Sequence, residues 1–432
     1  MVQDVEGYVS QEARGLEGTC KTPGNPNIAL MALALAAKSE GTSVIRHCSQ
    51  RPVVAPFISA LTALGISVTH KDGDVVVCGE SLKAQEEPFQ IGQSDLLLGC
   101  LAGMTAGAEF HTKFEGGAQA GSVIAALEAL GARVDKPVEG VYPFAVGGRD
   151  LTGAKYTIKE PDIAVKTAFF LAGLDASGDV HLEQSSSGDD DFEVLLKASG
   201  VAFEKEKEVG KEGYHLVMPN GQNPQGVLHD LPGDPGAALY LLGVAAMLPR
   251  SELILHYVGN DWKTRRMLEL LRRFNAQLEI QVARSESKFA IRTVTAKPSE
   301  LRRTRIGGDQ TALFLDEVPF LAVLGTQAAG ETVIRDAQKL REGEVDCLAL
   351  MAENLRRLGA KVGEMPDGLV VQGPVSLQGA ELDAGGDTRV AVALVLASLV
   401  AEGETQIANV GSLTEDFAEL FSCLETVVNA KR

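Results

Sequence analysis

The sequence has few of the residues that build metal centres and disulfide frameworks, and it lacks their usual spacings. Its six cysteines include no CxxC pair, and its seven histidines include no HExxH motif. Scattered residues of this kind are typical of reduced thiols in a cytoplasmic protein. We therefore expect no metal site and no cofactor.

Long hydrophobic segments are also missing. The longest apolar runs cover residues 28–37, 239–248 and 390–401, well short of the ~20 residues that a membrane-spanning helix needs. Residues 1–15 carry acids and no apolar core, unlike a secretory signal peptide. These absences predict a cytoplasmic protein that does not bind membranes.

Basic residues are outnumbered by acids. The chain has 40 Lys and Arg against 58 Asp and Glu, a net charge of −18. The basic clusters are short, at residues 263–266 and 301–305. Such a surface repels a nucleic-acid backbone, so we expect no nucleic-acid partner.

What the sequence does contain is a repeat. A turn that feeds a strand recurs at intervals of about 65–80 residues, as in EGTSVIRH from Glu40 and AGETVIRDA from Ala329. A helix end that opens another strand recurs between these turns, as in AALEALGARV from Ala125 and NLRRLGAKV from Asn354. With 432 residues, the pattern predicts an α/β (α+β) chain of six βαβαββ repeats, three in each of two domains.

The sixth repeat lacks its closing strands, whereas residues 6–22 precede the first helix and belong to no repeat of their own. We therefore expect the N-terminal strands to complete the last repeat. This predicts a discontinuous domain of residues 1–22 plus 233–432, with residues 23–232 forming an inserted domain.

The first helix of each repeat begins with an acid or amide that can accept hydrogen bonds from free backbone N–H groups. These residues are Asn25, Asp95, Asp162, Asp234, Asp316 and Asp387. They could serve only as caps of buried helices. Alternatively, several positive helix ends could share one cleft and bind an anion there.

Four stretches resemble motifs of the enolpyruvyl transferase family, and most closely those of 5-enolpyruvylshikimate-3-phosphate synthases. They are LPGDPGAALYLLGVAA from Leu231, LDEVPFLAVLG from Leu315, KLREGEVDCLALMAENLRRLGAKV from Lys339 and GDTRVAVALVLASLV from Gly386. The resemblance implies a two-domain inside-out α/β barrel that closes on its substrates, with the active site in the interdomain cleft. It also implies addition–elimination chemistry on a small anionic cyclic substrate, and we expect a monomer.

The resemblance implies roles for individual residues. Asp316 takes the place of the family's candidate base, and Glu344 that of its candidate acid. The residues that the resemblance or their neighbouring positions nominate for substrate binding are Arg389, Asp387, Asp346, Arg341, Asn25 and Asn27.

Most of the family's basic ligands are replaced. Where the family motifs carry Lys or Arg, this chain has Pro26, Met31, Ala106, Ala118, Gly343, Cys347 and Glu415. Each charge-assisted contact is worth ~1.5–3 kcal/mol, so losing five would cost about 7–15 kcal/mol of binding free energy for two phosphorylated substrates. These replacements favour a less charged substrate.

Three functions stay open. The replacements favour an acid–base dehydration of a shikimate-type cyclic carboxylate, without phosphoenolpyruvate, in which Arg389 holds the carboxylate. The first alternative is carboxyvinyl transfer from phosphoenolpyruvate to 3-phosphoshikimate or a related hydroxyl, with Lys113, Lys166, Arg335 and Arg341 as relocated cations. The second is a non-catalytic homologue that binds small anions.

Overall fold

The structure, a computed structural model, describes residues 2–4, 7–137, 141–148, 150–160, 162–184, 191–207, 213–282 and 288–430. The chain divides into two compact units. Unit 1 combines Met1–Pro23, Pro232–Arg284 and Ala290–Arg432, and unit 2 combines Gly24–Leu231 with Ser285–Phe289. Helices and strands are numbered below in chain order.

Unit 1 begins and ends with the two ends of the chain. Its strands are β1 (Val2–Asp4), β2 (Gly7–Gln11), β3 (Ala13–Lys21), β16 (Glu252–Val258), β17 (Gln277–Val282), β18 (Arg292–Lys297), β19 (Arg305–Ile306), β20 (Gly330–Ile334), β21 (Lys361–Met365), β22 (Gly368–Gly373), β23 (Glu381–Asp383), β24 (Glu404–Ala408) and β25 (Val428–Ala430). Its helices are α7 (Pro235–Met247), α8 (Trp262–Arg273), α9 (Asp309–Leu313), α10 (Val318–Gln327), α11 (Cys347–Arg357), α12 (Thr388–Ser398), α13 (Leu413–Asp416) and α14 (Ala418–Val427), with a 3-10 helix at Gln338–Arg341.

Unit 2 lies between β3 and α7 in the sequence. Its strands are β4 (Thr42–Arg46), β5 (Ser67–Lys71), β6 (Asp74–Cys78), β7 (Phe89–Gln90), β8 (His111–Glu115), β9 (Val134–Asp135), β10 (Phe144–Gly147), β11 (Ala154–Ile158), β12 (Val180–Gln184), β13 (Glu204–Glu206), β14 (Tyr214–Met218) and β15 (Leu228–Asp230). Its helices are α1 (Pro26–Lys38), α2 (Val54–Ala63), α3 (Asp95–Thr105), α4 (Ala120–Ala129), α5 (Ile163–Gly173) and α6 (Asp191–Ala198).

All the sheets share one strand order. In unit 2 the orders are β15-β4-β6-β5, β7-β8-β10-β9 and β11-β12-β14-β13. In unit 1 they are β3-β16-β18-β17, β19-β20-β22-β21 and β23-β24-β2-β1, with β25 added beside β3. The first two strands of each sheet are parallel, as a helical crossover requires, and the others are antiparallel.

Two strands pair far from their neighbours in sequence. Strand β3 leads into α1, yet it lies parallel to β16, with Gly18 opposite Leu253. Strand β15 leads into α7, yet it lies parallel to β4, with His229 opposite Ile45. The segment that leads into unit 2 therefore supplies a strand to unit 1. Likewise, the segment that leads back into unit 1 supplies a strand to unit 2.

The helices that follow the first strand of each repeat form the cores. In α7, every residue from Pro235 to Ala246 is buried, and in α12 every residue from Val390 to Ser398. These helices are apolar on all sides, so burial removes their whole surface from water. The second helix of a repeat is amphipathic: α11 buries Leu348 and Met351 and exposes charged residues.

One expectation about the cysteines is wrong. Cys20 of β3 and Cys423 of α14 form a disulfide with a Cα–Cα distance of 5.9 Å, whereas Cys48, Cys78, Cys100 and Cys347 form no disulfide. The two residues are 403 positions apart, so no spacing in the sequence relates them. Among the described residues, no helix has both the length and the apolar character to cross a bilayer.

Candidate active site

Two of the three acids that the sequence predicts at helix starts in unit 1, Asp234 and Asp387, cap their helices, whereas the prediction for Asp316 is wrong: α10 begins at Val318 after Glu317, and no side chain caps it. The Asp234 carboxylate accepts a hydrogen bond from Gly236 N at 2.9 Å at the start of α7. At the start of α12, Asp387 accepts hydrogen bonds from the backbone N–H groups of Arg389 and Val390, at 2.9 and 3.3 Å. The carboxylates thus satisfy donors that the first turn of a helix leaves free.

Arg389 joins two of the predicted site residues. Its Nη2 lies 2.6 Å and its Nε 3.1 Å from the two Asp387 oxygens, and its Nη1 lies 3.3 Å from Asp316 Oδ1. The Asp387 side chain is 11% exposed and that of Asp316 is 73% exposed. Arg389 is therefore fixed by a bidentate contact on one side and faces an accessible carboxylate on the other.

This contact shifts the pKa values of both groups. The hydrogen bonds with Asp387 raise the pKa of Arg389 despite its partial burial. Burial raises the pKa of Asp387, but the hydrogen bonds from Arg389 and from the backbone outweigh burial and hold the pKa below its ordinary value. Both groups are charged at neutral pH, so Arg389 keeps its positive charge near Asp316.

A second ion pair lies beside Asp316 and was missed in the sequence. Lys263 Nζ is 3.3 Å from Glu317 Oε1, although the sequence places them on different helices, 54 residues apart. Glu317 is only 6% exposed, and its other carboxylate oxygen has no hydrogen-bond partner in the described part of the chain. Burial, together with Asp234 and Asp316, raises the pKa of Glu317, while Lys263 opposes the rise.

Cys347 is buried among these charges, at the first residue of α11. Burial, followed by the negative charge of Asp387, raises the pKa of its thiol to about 12. A thiol with this pKa stays protonated at neutral pH, so it is neither a nucleophile nor a substitute for an arginine.

Arg341 and Asp346 form a separate cluster. Arg341 Nη1 lies 2.6 Å from Asp346 Oδ2 and 3.0 Å from Glu364 Oε1. Its other nitrogens donate to the carbonyl oxygens of Met365 and Pro366. The guanidinium of Arg341 is thus committed to the turn between β21 and β22, and little of it is left for a substrate anion.

Glu344 lies at the surface, between the 3-10 helix and α11. No hydrogen bond or ion pair of its side chain appears among the described residues. Its assignment as the acid stays a prediction. Among the described residues, no side-chain contact joins Glu344 to Asp316.

The remaining predicted ligands belong to unit 2. Asn25 caps α1, where its Oδ1 accepts hydrogen bonds from Asn27 N at 3.0 Å and from Ile28 N at 3.2 Å. Asn27 is exposed on the first turn of α1. Nearby, Met31 is buried in the core of unit 2, so no cation replaces the one that the family motif carries there.

The described residues include no group of three or more His, Cys, Asp or Glu side chains that could hold a metal ion. What unit 1 offers instead is a set of carboxylates beside two cations at adjoining helix ends. Such a set can hold an anionic group and move protons at it.

Comparison with known proteins identifies the family. Residues 10–424 match the family described as EPSP synthase (3-phosphoshikimate 1-carboxyvinyltransferase). The chain is 31% identical over 408 residues to the 3-phosphoshikimate 1-carboxyvinyltransferase of Brevibacillus brevis, covering 92% of this chain and 94% of the relative. It is 32% identical over 429 residues to the enzyme of the same name from a Synechococcus strain, covering 96% of each. The chain belongs to the EPSP synthase family.

A solved structure gives the same result for the fold. The EPSP synthase of Acinetobacter baumannii superposes with a TM-score of 0.86, covers 98% of each chain and is 23% identical. The predicted two-domain α/β fold and the predicted family are therefore confirmed. The relatives are named as transferases, which supports the carboxyvinyl-transfer alternative and offers no support for dehydration without phosphoenolpyruvate.

Proposed function

We propose that the chain is a carboxyvinyltransferase that moves the enolpyruvyl group of phosphoenolpyruvate to a hydroxyl group of a shikimate-type cyclic acid. The observation that carries the proposal is family membership over nearly the whole chain, with relatives of this name that match end to end. The Arg389–Asp387 pair with Asp316 at its open side is the part of unit 1 that supports it.

The residues have defined tasks in this reaction. Arg389 binds a substrate carboxylate through the donors that face Asp316. Asp316, which is accessible, accepts the proton of the attacking hydroxyl group. In the addition step, an O–C bond forms at the substituted vinyl carbon, and the methylene carbon takes a proton from an acid, the role predicted for Glu344. In the elimination step, that carbon returns a proton and the C–O bond to phosphate breaks.

The replacement of cations at the family's motif positions favours an acceptor with fewer negative groups than 3-phosphoshikimate. Met31, Ala106 and Cys347 are buried and uncharged where the family motifs have arginines. Without those cations, each additional phosphate must be desolvated with little compensation. We therefore expect the unphosphorylated ring acid to be the better acceptor.

The same observation favours a second candidate, the dehydration of a shikimate-type acid. This reaction needs one cation for a single carboxylate and an acid–base pair, all of which the chain has. It releases water and no phosphate, so its products distinguish it from transfer.

The deciding experiment incubates the chain with shikimate or 3-phosphoshikimate, each with and without phosphoenolpyruvate, and follows products by mass spectrometry and phosphate release. Transfer predicts phosphate release and a product heavier than the acceptor by the carboxyvinyl group. Loss of water from the ring acid alone would instead establish dehydration.

Asp316→Asn tests the site in the same assay. It should lower turnover by a factor of about 100 or more, because a positioned base contributes ~100–10,000-fold. The matched control Asp309→Asn removes an exposed carboxylate at the start of α9 and should leave turnover unchanged. Thermal stabilisation by these ligands without turnover of any of them would contradict both reactions and indicate a binding protein.

A further inference from the structure

Asp316 and Glu317 are adjacent in sequence, but their side chains have opposite environments. The Asp316 carboxylate is 73% exposed and faces Arg389. The Glu317 side chain is 8% exposed and contacts Lys263. A Cβ added at Gly236 would lie 2.6 Å from Glu317 Oε1, which places this oxygen against the first turn of α7.

The two residues therefore connect an ion pair with a buried carboxylate and a partly exposed ammonium to an accessible carboxylate over one peptide unit. Glu317 precedes α10, Lys263 is on α8, and Arg389 is on α12. The buried Glu317 oxygen that has no hydrogen-bond partner in the described chain leaves this carboxylate dependent on Lys263 for compensation of its charge.

Charges facing this region come from α8, from α12 and from the starts of α7 and α10. Lys263, Asp234 and Asp316 act on Glu317, and Arg389 acts on Asp316 with Asp387 behind it. The buried Cys347 thiol adds no charge at neutral pH. Four carboxylates thus face two cations. Removal of Lys263 makes the surroundings of position 316 more negative, and removal of the Glu317 charge makes them less negative.

We propose that the Lys263–Glu317 ion pair is a positioning pair for Asp316: it anchors the start of α10, and with it the neighbouring accessible carboxylate, and it sets the electrostatic field at position 316. Lys263 stabilises a negative charge at this position and Glu317 disfavours it. The consequence for catalysis rests on the proposed function, in which Asp316 is the base; the field itself does not.

A thiol at position 316 measures this field without any need for turnover. In Asp316→Cys, the rate of alkylation by iodoacetamide follows the thiolate fraction, and peptide mass spectrometry distinguishes this site from the native cysteines. At pH 7, adding Glu317→Gln should raise the rate and adding Lys263→Met should lower it, each by about two- to fivefold. The double variant of the pair should return towards the parent rate.

Two control variants remove charges of either sign from the solvent-exposed part of α8. Arg266 and Glu269 pair with each other at 2.9 Å, and Arg266→Met and Glu269→Gln should each change the rate less than the variants of the buried pair. If Lys263→Met, which leaves the buried Glu317 carboxylate unpaired, fails to fold, Glu317→Gln and the double variant, which buries no unpaired charge, still decide the sign. Equal rates in all variants, or shifts of the same sign for Lys263→Met and Glu317→Gln, would overturn the proposal.

Where the chain is active, the acid limb of the pH profile of kcat/KM with native Asp316 should move the same way. It should move to lower pH in Glu317→Gln and to higher pH in Lys263→Met. A purely structural role would lower activity or stability in both variants without these opposite shifts. If the alkylation rates of the thiol at position 316 shift as expected but the chain turns over no substrate, the proposed function is refuted and the proposal for the ion pair stands.

Discussion

At the scale of single residues, the chain tolerates polar groups in its interior that lack ordinary partners. His229 on β15 is completely buried, and neither ring nitrogen has a hydrogen-bond partner among the described residues. Burial lowers its pKa from 6.5 to about 4. The imidazole is therefore neutral in the folded unit 2 at pH 7, and it serves there as a packing group.

This residue makes the stability of unit 2 depend on pH. Between about pH 6.5 and pH 4, the unfolded chain binds a proton at His229 that the folded chain does not, so acidification favours unfolding. The free energy of unfolding should fall by about 3 kcal/mol across this window on account of His229 alone. Above it, the contribution is fully retained.

The measurement compares urea unfolding at pH 4.5 and 7.5 for the parent chain, His229→Leu and His70→Leu. His229→Leu should be less sensitive to acid than the parent. His70 is exposed, so its substitution should leave the pH dependence unchanged. Equal acid sensitivity of the parent and His229→Leu would contradict the explanation.

At the scale of elements, caps have more than one task. Asp387 and Asp162 both cap buried helices, α12 in unit 1 and α5 in unit 2, with hydrogen bonds of similar length. Only Asp387 also carries a bidentate contact with an arginine on its own helix. Substitution of each residue in turn therefore distinguishes the unfolding free energy that is lost with an N-cap from the unfolding free energy that is lost with an ion pair.

Asp162→Ala should lower the unfolding free energy of unit 2 by about 1 kcal/mol, the usual cost of a lost N-cap. Asp387→Ala should cost unit 1 at least about twice as much, because it also removes the bidentate contact of the half-buried Arg389, which then keeps only the contact with the exposed Asp316. Asp387→Asn keeps an N-cap and removes the charge, so its cost should be intermediate. Hydrogen exchange of α12 and α5 amides measures both, and equal losses for the two alanine variants would show that the ion pair adds nothing.

Repeated elements are what the sequence predicts well. Turn phrases and helix ends recur because each repeat folds as the same supersecondary unit. The α/β class is confirmed by the full-length structural match, and the family by the family model and the full-length relatives. Local patterns also predict helix caps, since Asn25 and Asp387 accept hydrogen bonds from backbone N–H groups only two and three residues further along the chain.

Contacts between distant segments are less accessible to sequence reasoning. Lys263 and Glu317 meet only because α8 and α10 belong to one core, and Cys20 meets Cys423 because β3 and α14 are neighbours. Arg341 resembled a spare cation, yet its donors are consumed by a turn 24–25 residues further along the chain. In each case, the missing information is which helices and strands pack together.

At the scale of the whole molecule, the Cys20–Cys423 disulfide fastens the two ends of the sequence within unit 1. A crosslink over so long a loop restricts the unfolded chain strongly, and such disulfides typically contribute ~2–4 kcal/mol. Cys423→Ser should therefore lower the melting temperature of unit 1, and dithiothreitol should do the same to the parent.

The decisive comparison is the double variant Cys20→Ser/Cys423→Ser with and without dithiothreitol. Its melting temperature should not respond to the reductant, since the remaining cysteines form no disulfide. A parent chain whose melting temperature ignores reduction would show that the crosslink contributes nothing to stability.

The pairing of β2 with β24, and of β3 with both β16 and β25, has a consequence for biosynthesis. Strands β2 and β3 are translated more than 200 residues before β16, β24 and β25, whereas Gly24–Leu231 holds nearly all of unit 2 in one continuous stretch. Unit 2 is thus able to fold during translation, while β2 and β3 wait with open hydrogen-bonding edges that invite chaperone capture or aggregation. The speed of elongation through the stretch between β3 and β25 therefore governs how long the nascent chain is at risk.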